Sequence, residues 1–413
     1  MTKSLSAFLL RCFGWIELNP HNASTVGKRI LFVRSATAIS EDHLQRVAHP
    51  TSRFHADYLA YKNQEITRTQ LVARLPHVAM IGDSLSRNVY VSSPLSTLWR
   101  ARRHYGNDWF LNTDPSSSSV YSVFERLEKF TPLVATEYGG LGAMVDNGSE
   151  RQNFFRKILR TRNFSGQVTQ LLSREPFPDL ILIWIGHNNV DWTWRCSPGD
   201  LEQPEKRLPR LSQRFREDYT RQVQRLIERA RMKQHHVAIV VYGLVDFQLF
   251  FKARAIAESL RERNPKLYPY LGIDCEYLVS MRPAYRENLI RLVRMVNEEL
   301  RAMAGELQSQ LENAPNVRVQ YSDALARADV SRVEVLHAVD GWHASVAGHN
   351  VFAEAAFSAL GPSLKFLGID ADSHVPKTRE DRPASRLGQP IASNQLGRPA
   401  PSVYILGGVA KLS

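Results

Sequence analysis

The chain has 413 residues, of which 43% are apolar and 23% are charged, and its formal net charge is +12. This size and composition exclude a wholly disordered chain and allow one large domain with additions, or two domains. The 3 cysteines contain no C-x-x-C pair, so neither a disulfide framework nor a zinc cluster is indicated. Because Lys and Arg are scattered among Asp and Glu, we expect no nucleic-acid partner and at most peripheral contact with anionic surfaces.

Residues 1–75 are expected to form a helical or irregular extension, with a helix at about 54–74. An apolar stretch, SAFLLRCFGWIEL, lies near the start, but Arg11 and Glu17 interrupt it and no small-residue cleavage site follows. It is a poor signal peptide and too short to span a bilayer. Since no other long apolar run follows, we expect no transmembrane segment and, by default, a cytoplasmic location.

Five short runs rich in Val and Ile lie between residues 76 and 365, separated by stretches with helical periodicity. Nearly all-apolar strands that alternate with helices indicate a parallel sheet covered on both faces. The sequence therefore predicts an α/β fold, a three-layer α/β/α sandwich with a central parallel sheet. The runs are HVAMIG from residue 77, PLVATE from 132, DLILIWIG from 179, HVAIVVYG from 236 and NVRVQYSD from 316; the helical stretches are 150–174, 206–233 and 283–312.

An aromatic insertion at about 245–281 follows the fourth run. Its rings either wall an apolar pocket or form a subsidiary core beneath a long loop, and both interpretations stay open. The rings are Phe247, Phe250, Phe251, Tyr268 and Tyr270. The last segment, 366–413, is rich in Pro, Ser and Arg, and we expect it to be a disordered tail.

Polar residues follow the carboxyl ends of the strands, where functional groups collect in parallel sheets. Ser84, in GDSLSRN, lies where a strand turns into a helix, and is either a helix cap or an exposed nucleophile. Asp340 and His343 lie three residues apart before a helix predicted in ASVAGHNVFAEAAF. At that spacing the carboxylate can orient the imidazole as a general base, so the three side chains form a candidate catalytic triad.

Acyl transfer to a serine also needs hydrogen-bond donors for the oxyanion. The backbone N–H of Ser84 is one candidate, and the amide of Asn188, after the third strand, is another. A glycine beyond the second strand is the third candidate, because backbone without a side chain can approach a substrate closely. We favour Gly142 over Gly140 here, although the sequence does not separate them.

These blocks resemble the SGNH, or GDSL, hydrolase superfamily, whose four motifs are named for Ser, Gly, Asn and His. The first block, GDSLSRN, and the last, DGWHASVAGH, are specific matches, and YGGLGAM matches loosely. GHNN keeps Gly186 and Asn188 but has Asn189 where the family usually has Asp. The resemblance covers about residues 76–362. It implies a flavodoxin-like three-layer fold, esterase or lipase activity, and no metal or organic cofactor.

The sequence thus predicts a serine ester hydrolase that forms an acyl-enzyme on Ser84, with His343 as general base oriented by Asp340. The substrate is expected to be a small-molecule or lipid ester, and the aromatic insertion and basic charge favour an acyl-lipid or phospholipid ester. Trp192 and Trp194, which follow GHNN, either border the substrate or pack against the insertion.

Four alternatives compete with this prediction. An α/β-hydrolase elbow, G-x-S-x-G, would need glycine where the chain has Ser86. A metal site could use His337, Asp340 and His343, but would leave Ser84 without a base. A carbohydrate- or lipid-binding module of the same fold with an inactive site, and an acyltransferase with the same triad, also stay open.

Overall fold

The computed structural model describes residues 55–86, 108–112, 120–131, 133–140, 143–145, 163–190, 203–263, 283–336 and 343–369. These residues all belong to the unit Met1–Val375. Its strands are β1 (His77–Gly82), β2 (Val134–Glu137), β3 (Leu180–Trp184), β4 (Val237–Tyr242) and β5 (Val317–Ser322). The α-helices in this part of the chain are α1 (His55–Lys62), α2 (Arg68–Arg74), α3 (Val123–Leu127), α4 (Phe164–Leu172), α5 (His187–Val190), α6 (Pro204–Met232), α7 (Phe247–Arg263), α8 (Pro283–Ser309), α9 (Val346–Ser358) and α10 (Gly361–Phe366).

The five strands form one parallel sheet in the order β2-β1-β3-β4-β5. Every residue of β1 to β4 is buried, as expected for strands covered on both faces, whereas the edge strand β5 is partly exposed. All five strands coincide with the predicted apolar runs. The order is that of flavodoxin-like doubly wound sheets, so the predicted α/β fold is confirmed.

Helices fall into two groups according to what they contact. In one group, helix α6 packs against α4 and α8; α4 in turn contacts β1, and α8 contacts β5. Helix α9 packs against α3, while α10 contacts β4 and β5. The predicted helices at 206–233 and 283–312 are confirmed as α6 and α8, and α4 is the described part of the predicted 150–174 stretch.

The predicted single helix at 54–74 is wrong, because the structure has two helices there. Helix α1 ends at Lys62, and Gln64 then takes a positive φ of 63°, which an α-helix does not allow. Thr67 begins α2 with a capping box, its side chain accepting the N–H of Gln70 while the Gln70 side chain accepts that of Thr67. A strong helix start therefore interrupts what appears in the sequence as one periodic segment.

The parallel register places the carboxyl ends of neighbouring strands side by side. Gly82 at the end of β1 is paired with Trp184 at the end of β3, and Tyr242 with Ser322. The turns that follow these residues therefore share one edge of the sheet. Among the described helices, none is both long and apolar enough to cross a membrane.

A buried histidine, His77, lies at the other end of the sheet, where the strands begin, as the first residue of β1. Its backbone N–H donates to the Asp179 carboxylate at 2.7 Å. Burial lowers the pKa of His77 below 6.5, and the nearby His235 lowers it further, while a hydrogen bond to the Val72 backbone and the Asp179 charge oppose the shift.

We therefore expect acid to destabilise the fold through His77. Its folded-state pKa lies below the unfolded value, so the unfolded chain binds more protons as the pH falls through about 6.5. Urea denaturation should show that the free energy of unfolding falls less below that pH in His77→Gln than in the wild type. His236→Gln, at an exposed position, is the matched control. Equal pH slopes in the wild type and His77→Gln would contradict the prediction.

Candidate active site

Ser84 lies directly after β1, at the start of a 3-10 turn, Ser84–Ser86. The side chain that caps this turn is that of Asp83, whose Oδ1 accepts the N–H of Leu85 at 3.0 Å. Ser84 itself is 7% exposed, and its Oγ makes no hydrogen bond to any described residue. The structure therefore assigns the cap to Asp83 and leaves the Ser84 hydroxyl uncommitted within the described part of the chain.

Two side chains hold the end of β1 and the turn that follows it. Gln167 of α4, fully buried, accepts the Gly82 N–H at 3.0 Å and donates to the Gly82 carbonyl at 2.8 Å. Ser86 Oγ donates to the Trp184 carbonyl at 2.9 Å. Glycine is required at 82 because a Cβ there would lie 2.1 Å from Ser86 Oγ. These contacts fix the backbone that presents Ser84.

Asp83 also connects this turn to the one that follows β3. Its Oδ2 accepts the backbone N–H groups of Gly186 and His187, both at 3.1 Å, and lies 2.8 Å from Nδ1 of His187. Gly186 has φ +135°, which side-chain-bearing residues rarely adopt, so the first position of GHNN must be glycine. One carboxylate thus joins the Ser84 turn to the Asn188 turn.

Residues 143–145 are held by asparagine side chains. Asn188 Nδ2 donates to the Ala143 carbonyl at 2.9 Å, and Asn189 Oδ1 accepts the Val145 N–H at 3.0 Å. Asn163 Oδ1 accepts the N–H of the intervening residue, Met144, at 3.1 Å. Asn189, which replaces the family's usual Asp, therefore still provides an acceptor for this loop. The Asn188 amide has two N–H groups, so a second donor remains after the bond to Ala143.

The two candidate glycines differ in what the structure shows of them. The N–H of Gly140 donates to the Gly82 carbonyl at 3.0 Å, so this N–H already has an acceptor at the end of β1. Gly142 lies outside the described residues, directly before Ala143. The preference for Gly142 as an oxyanion donor stays a prediction.

The segment around His343 is fixed by pairing with the residues before it. Ala344 forms an antiparallel bridge with Leu336, and the N–H of Ser345 donates to the Val335 carbonyl at 2.9 Å. Ser345 also caps α9 by accepting the Gly348 N–H at 3.2 Å. His343 is half-buried. Asp340 lies outside the described residues, and no hydrogen bond joins His343 to Ser84.

A small apolar pocket of about 20 Å³ lies between the segment that carries Ser84 and the segment that carries His343. Leu85, the neighbour of Ser84, and Ala344, the neighbour of His343, both line it. The other lining residues are Val245, Phe247, Phe250, Val330, Val335, Leu336 and Phe352. The segments that carry Ser84 and His343 therefore meet at one cavity.

The interpretation of the aromatic insertion as a subsidiary core beneath a long loop is wrong for Phe247, Phe250 and Phe251, because these rings lie on helix α7 and belong to the main hydrophobic core. The substrate-pocket interpretation stays a prediction. Phe247, Phe250 and Phe251 are buried and pack on one another, with ring centroids 5.6 to 6.1 Å apart. Two of them, Phe247 and Phe250, also face the pocket. Tyr268, Tyr270, Trp192 and Trp194 lie outside the described residues, so their roles stay predictions.

Sequence reasoning missed three side chains that organise the site: Asp83, Gln167 and His187. Asp83 lies within GDSLSRN, Gln167 forms hydrogen bonds with Gly82 of the same block, and His187 is the variable position of GHNN. Asp83 and His187 could have been found, since a carboxylate and an imidazole stand inside matched blocks. Among the described residues, no three His, Cys, Asp or Glu side chains are grouped as metal ligands. His337 and Asp340, from the metal alternative, lie outside those residues.

We expect Gln167→Leu to destabilise the fold by about 1–3 kcal/mol, because it leaves the buried Gly82 N–H without its acceptor. Urea denaturation measures this change. Gln213→Leu is a control, since Gln213 is exposed and its side chain donates to Glu217 one turn along the same helix. Equal free energies of unfolding for the two variants would show that the Gln167 contacts contribute nothing.

Comparison with known proteins identifies the family of this chain. The model of the GDSL-like lipase/acylhydrolase family matches residues 78–356, which is more than half of the chain. A lipase, Lip_vut3, from a goat rumen metagenome is 16% identical over 69% of this chain and 97% of its own, with a TM-score of 0.36.

A carbohydrate esterase of family 3 from Talaromyces cellulolyticus is 14% identical over 72% of this chain and 100% of its own, with a TM-score of 0.34. The search of curated proteins finds no match to this chain. By the family match over residues 78–356, the chain belongs to the GDSL-like lipase/acylhydrolase family and is a hydrolase.

Proposed function

We propose that this hydrolase cleaves carboxylic esters through an acyl-enzyme on Ser84. The observation that carries the proposal is the Asp83 carboxylate, which binds N–H groups of both the Ser84 turn and the Asn188 turn. It holds a nucleophile and an amide donor at one edge of the sheet. A serine hydroxyl beside fixed donors is what acyl transfer requires.

In the proposed reaction, His343, oriented by Asp340, removes the proton from Ser84 Oγ as that oxygen attacks the ester carbonyl. The imidazolium then protonates the leaving alcohol, and water releases the acid from the acyl-enzyme by the same route. Support for His343 comes from Ala344 and Leu85, the chain neighbours of the base and the nucleophile, which line one pocket.

The tetrahedral oxyanion is assigned to three donors: the backbone N–H groups of Ser84 and Gly142, and the side chain of Asn188. The bond from Asn188 Nδ2 to Ala143 supports this role, because it fixes the amide and ties it to the residue after Gly142. A donor fixed in advance needs no reorganisation when charge develops.

The acyl group is assigned to the apolar pocket beside Leu85. A volume of about 20 Å³ is little more than the space of one water molecule, which favours a short acyl group over a long chain. This proposal departs from the acyl-lipid or phospholipid ester that the aromatic insertion and the basic charge favoured. Trp192 and Trp194 are proposed to border the alcohol part of the ester.

The Ser84→Ala variant should lower the hydrolysis of p-nitrophenyl acetate by roughly a thousandfold or more, since the nucleophile is lost. The release of p-nitrophenol is the measurement. Ser358→Ala, at an exposed position of α9, is the matched control and should keep the wild-type rate. Equal rates for Ser84→Ala and the wild type would remove Ser84 from the mechanism.

Asn188→Ala in the same assay should lower kcat by about a hundredfold, as expected for the loss of one oxyanion donor. Full turnover in this variant would remove Asn188 from the oxyanion site. Ligand binding without any Ser84-dependent turnover would instead favour an inactive binding module. New esters formed when an alcohol acceptor is added would show acyl transfer.

A series of p-nitrophenyl esters from acetyl to dodecanoyl tests the pocket. We expect kcat/KM to be highest for acetyl or propionyl and to fall about tenfold or more toward octanoyl, because extra methylenes must overpack the cavity. Phe250→Leu should shift the optimum to longer chains. Phe366→Leu, at a ring that packs on His236, is the control. A wild-type optimum at octanoyl or longer would contradict the short-acyl assignment.

A further inference from the structure

His187 is a buried imidazole, 2% exposed, to which the proposed reaction gives no role. It occupies the variable position of GHNN, between Gly186 and Asn188. Its Nδ1 lies 2.8 Å from Oδ2 of Asp83, and its Nε2 accepts the backbone N–H of Val245 at 3.4 Å. One side chain therefore spans the turns that follow β1, β3 and β4.

These two contacts define the tautomer of the imidazole ring. The N–H of Val245 points at Nε2, so Nε2 must be the unprotonated nitrogen. The proton then lies on Nδ1 and is donated to Asp83. The edge-to-face contact of the ring with Trp184, at 4.9 Å and 84°, fixes its plane. His187 thus has one donor, Nδ1, and one acceptor, Nε2, and both are used.

The contacts reach groups on both sides of the proposed reaction centre. Asp83 precedes Ser84 and uses its other oxygen to hold Leu85, so a change in the orientation of Asp83 would turn the backbone that carries the nucleophile. Val245 lines the apolar pocket together with Leu85. The residue after His187 is Asn188, the proposed oxyanion donor.

We propose that His187 is a positioning residue for the Ser84 reaction. Through Asp83 it fixes the Ser84 turn relative to Asn188, and through Val245 it fixes the pocket wall relative to both. The inference rests on the proposed function, since it assumes that Ser84 reacts. His187 does not touch the reacting atoms and acts only through Asp83 and Val245.

Three substitutions separate the two contacts. The amide nitrogen of Asn lies as many bonds from Cβ as Nδ1 does, so His187→Asn keeps the donor to Asp83. The Gln amide matches the position of Nε2, so His187→Gln keeps only an acceptor for Val245. His187→Ala loses both contacts. If Asp83 is the important partner, kcat should decrease in the order wild type, Asn, Gln, Ala.

The assay is hydrolysis of p-nitrophenyl acetate by the full chain, with active sites counted by covalent labelling of Ser84 with a fluorophosphonate. For His187→Ala we expect kcat per labelled site to fall about 10- to 100-fold, as misplacement of reacting groups does, with a much smaller change in KM. His187→Asn should recover most of the loss. Counting labelled sites removes the effect of misfolded protein.

Two results would overturn the inference: a wild-type kcat per labelled site in His187→Ala, or a kcat for His187→Asn no higher than for His187→Ala. A purely structural role would reduce the number of labelled sites but not their kcat. Should Ser84→Ala hydrolyse the ester as fast as the wild type, the proposed function and this inference would both fail. His236→Ala, at an exposed histidine, is the control and should match the wild type.

Discussion

The buried carboxylate of Asp83 is the contact on which the candidate site depends. It has no exposed surface. It accepts hydrogen bonds from the backbone N–H groups of Leu85, Gly186 and His187, and from Nδ1 of the His187 ring. A carboxylate removed from water is costly unless N–H groups replace its hydration. Because those donors come from the turns after β1 and β3, neither turn can move without leaving the carboxylate unsatisfied. Ser84 and Asn188 are each next in the chain to a residue of this network.

A second group of contacts extends the network to β2. Asn188 and Asn189 bind the backbone of Ala143 and Val145, directly after Gly142. The family's usual carboxylate at 189 is replaced here by an amide, yet its oxygen still accepts a loop N–H. A neutral amide therefore provides a hydrogen-bond acceptor for this loop. On the other side, the insertion after β4 packs its aromatic rings into the core and leaves a small apolar pocket beside Leu85.

Most of the fold could be predicted from the sequence, because strands buried on both faces must be continuous apolar runs and the intervening helices are amphipathic. The error at 54–74 has a local cause: helical periodicity continues through the turn at Gln64, and only the capping pair Thr67 and Gln70 marks the break. Ser84, Asn188 and His343 are predicted as site residues from their place after strands or before a helix, whereas Gln167 carries no motif. Its role depends on where α4 packs.

The sequence by itself determined the apolar strands, their parallel arrangement and the family blocks, since each is a local pattern that a few neighbouring residues carry. Only the tertiary structure decided which side chains hold those blocks together. Asp83 and His187 are 104 positions apart in the chain, and Gly82 and Gln167 are 85 apart. Such contacts form because the sheet order places β1 beside β3 and α4 against β1, and a hydrogen bond depends on distance in space and not on separation in sequence.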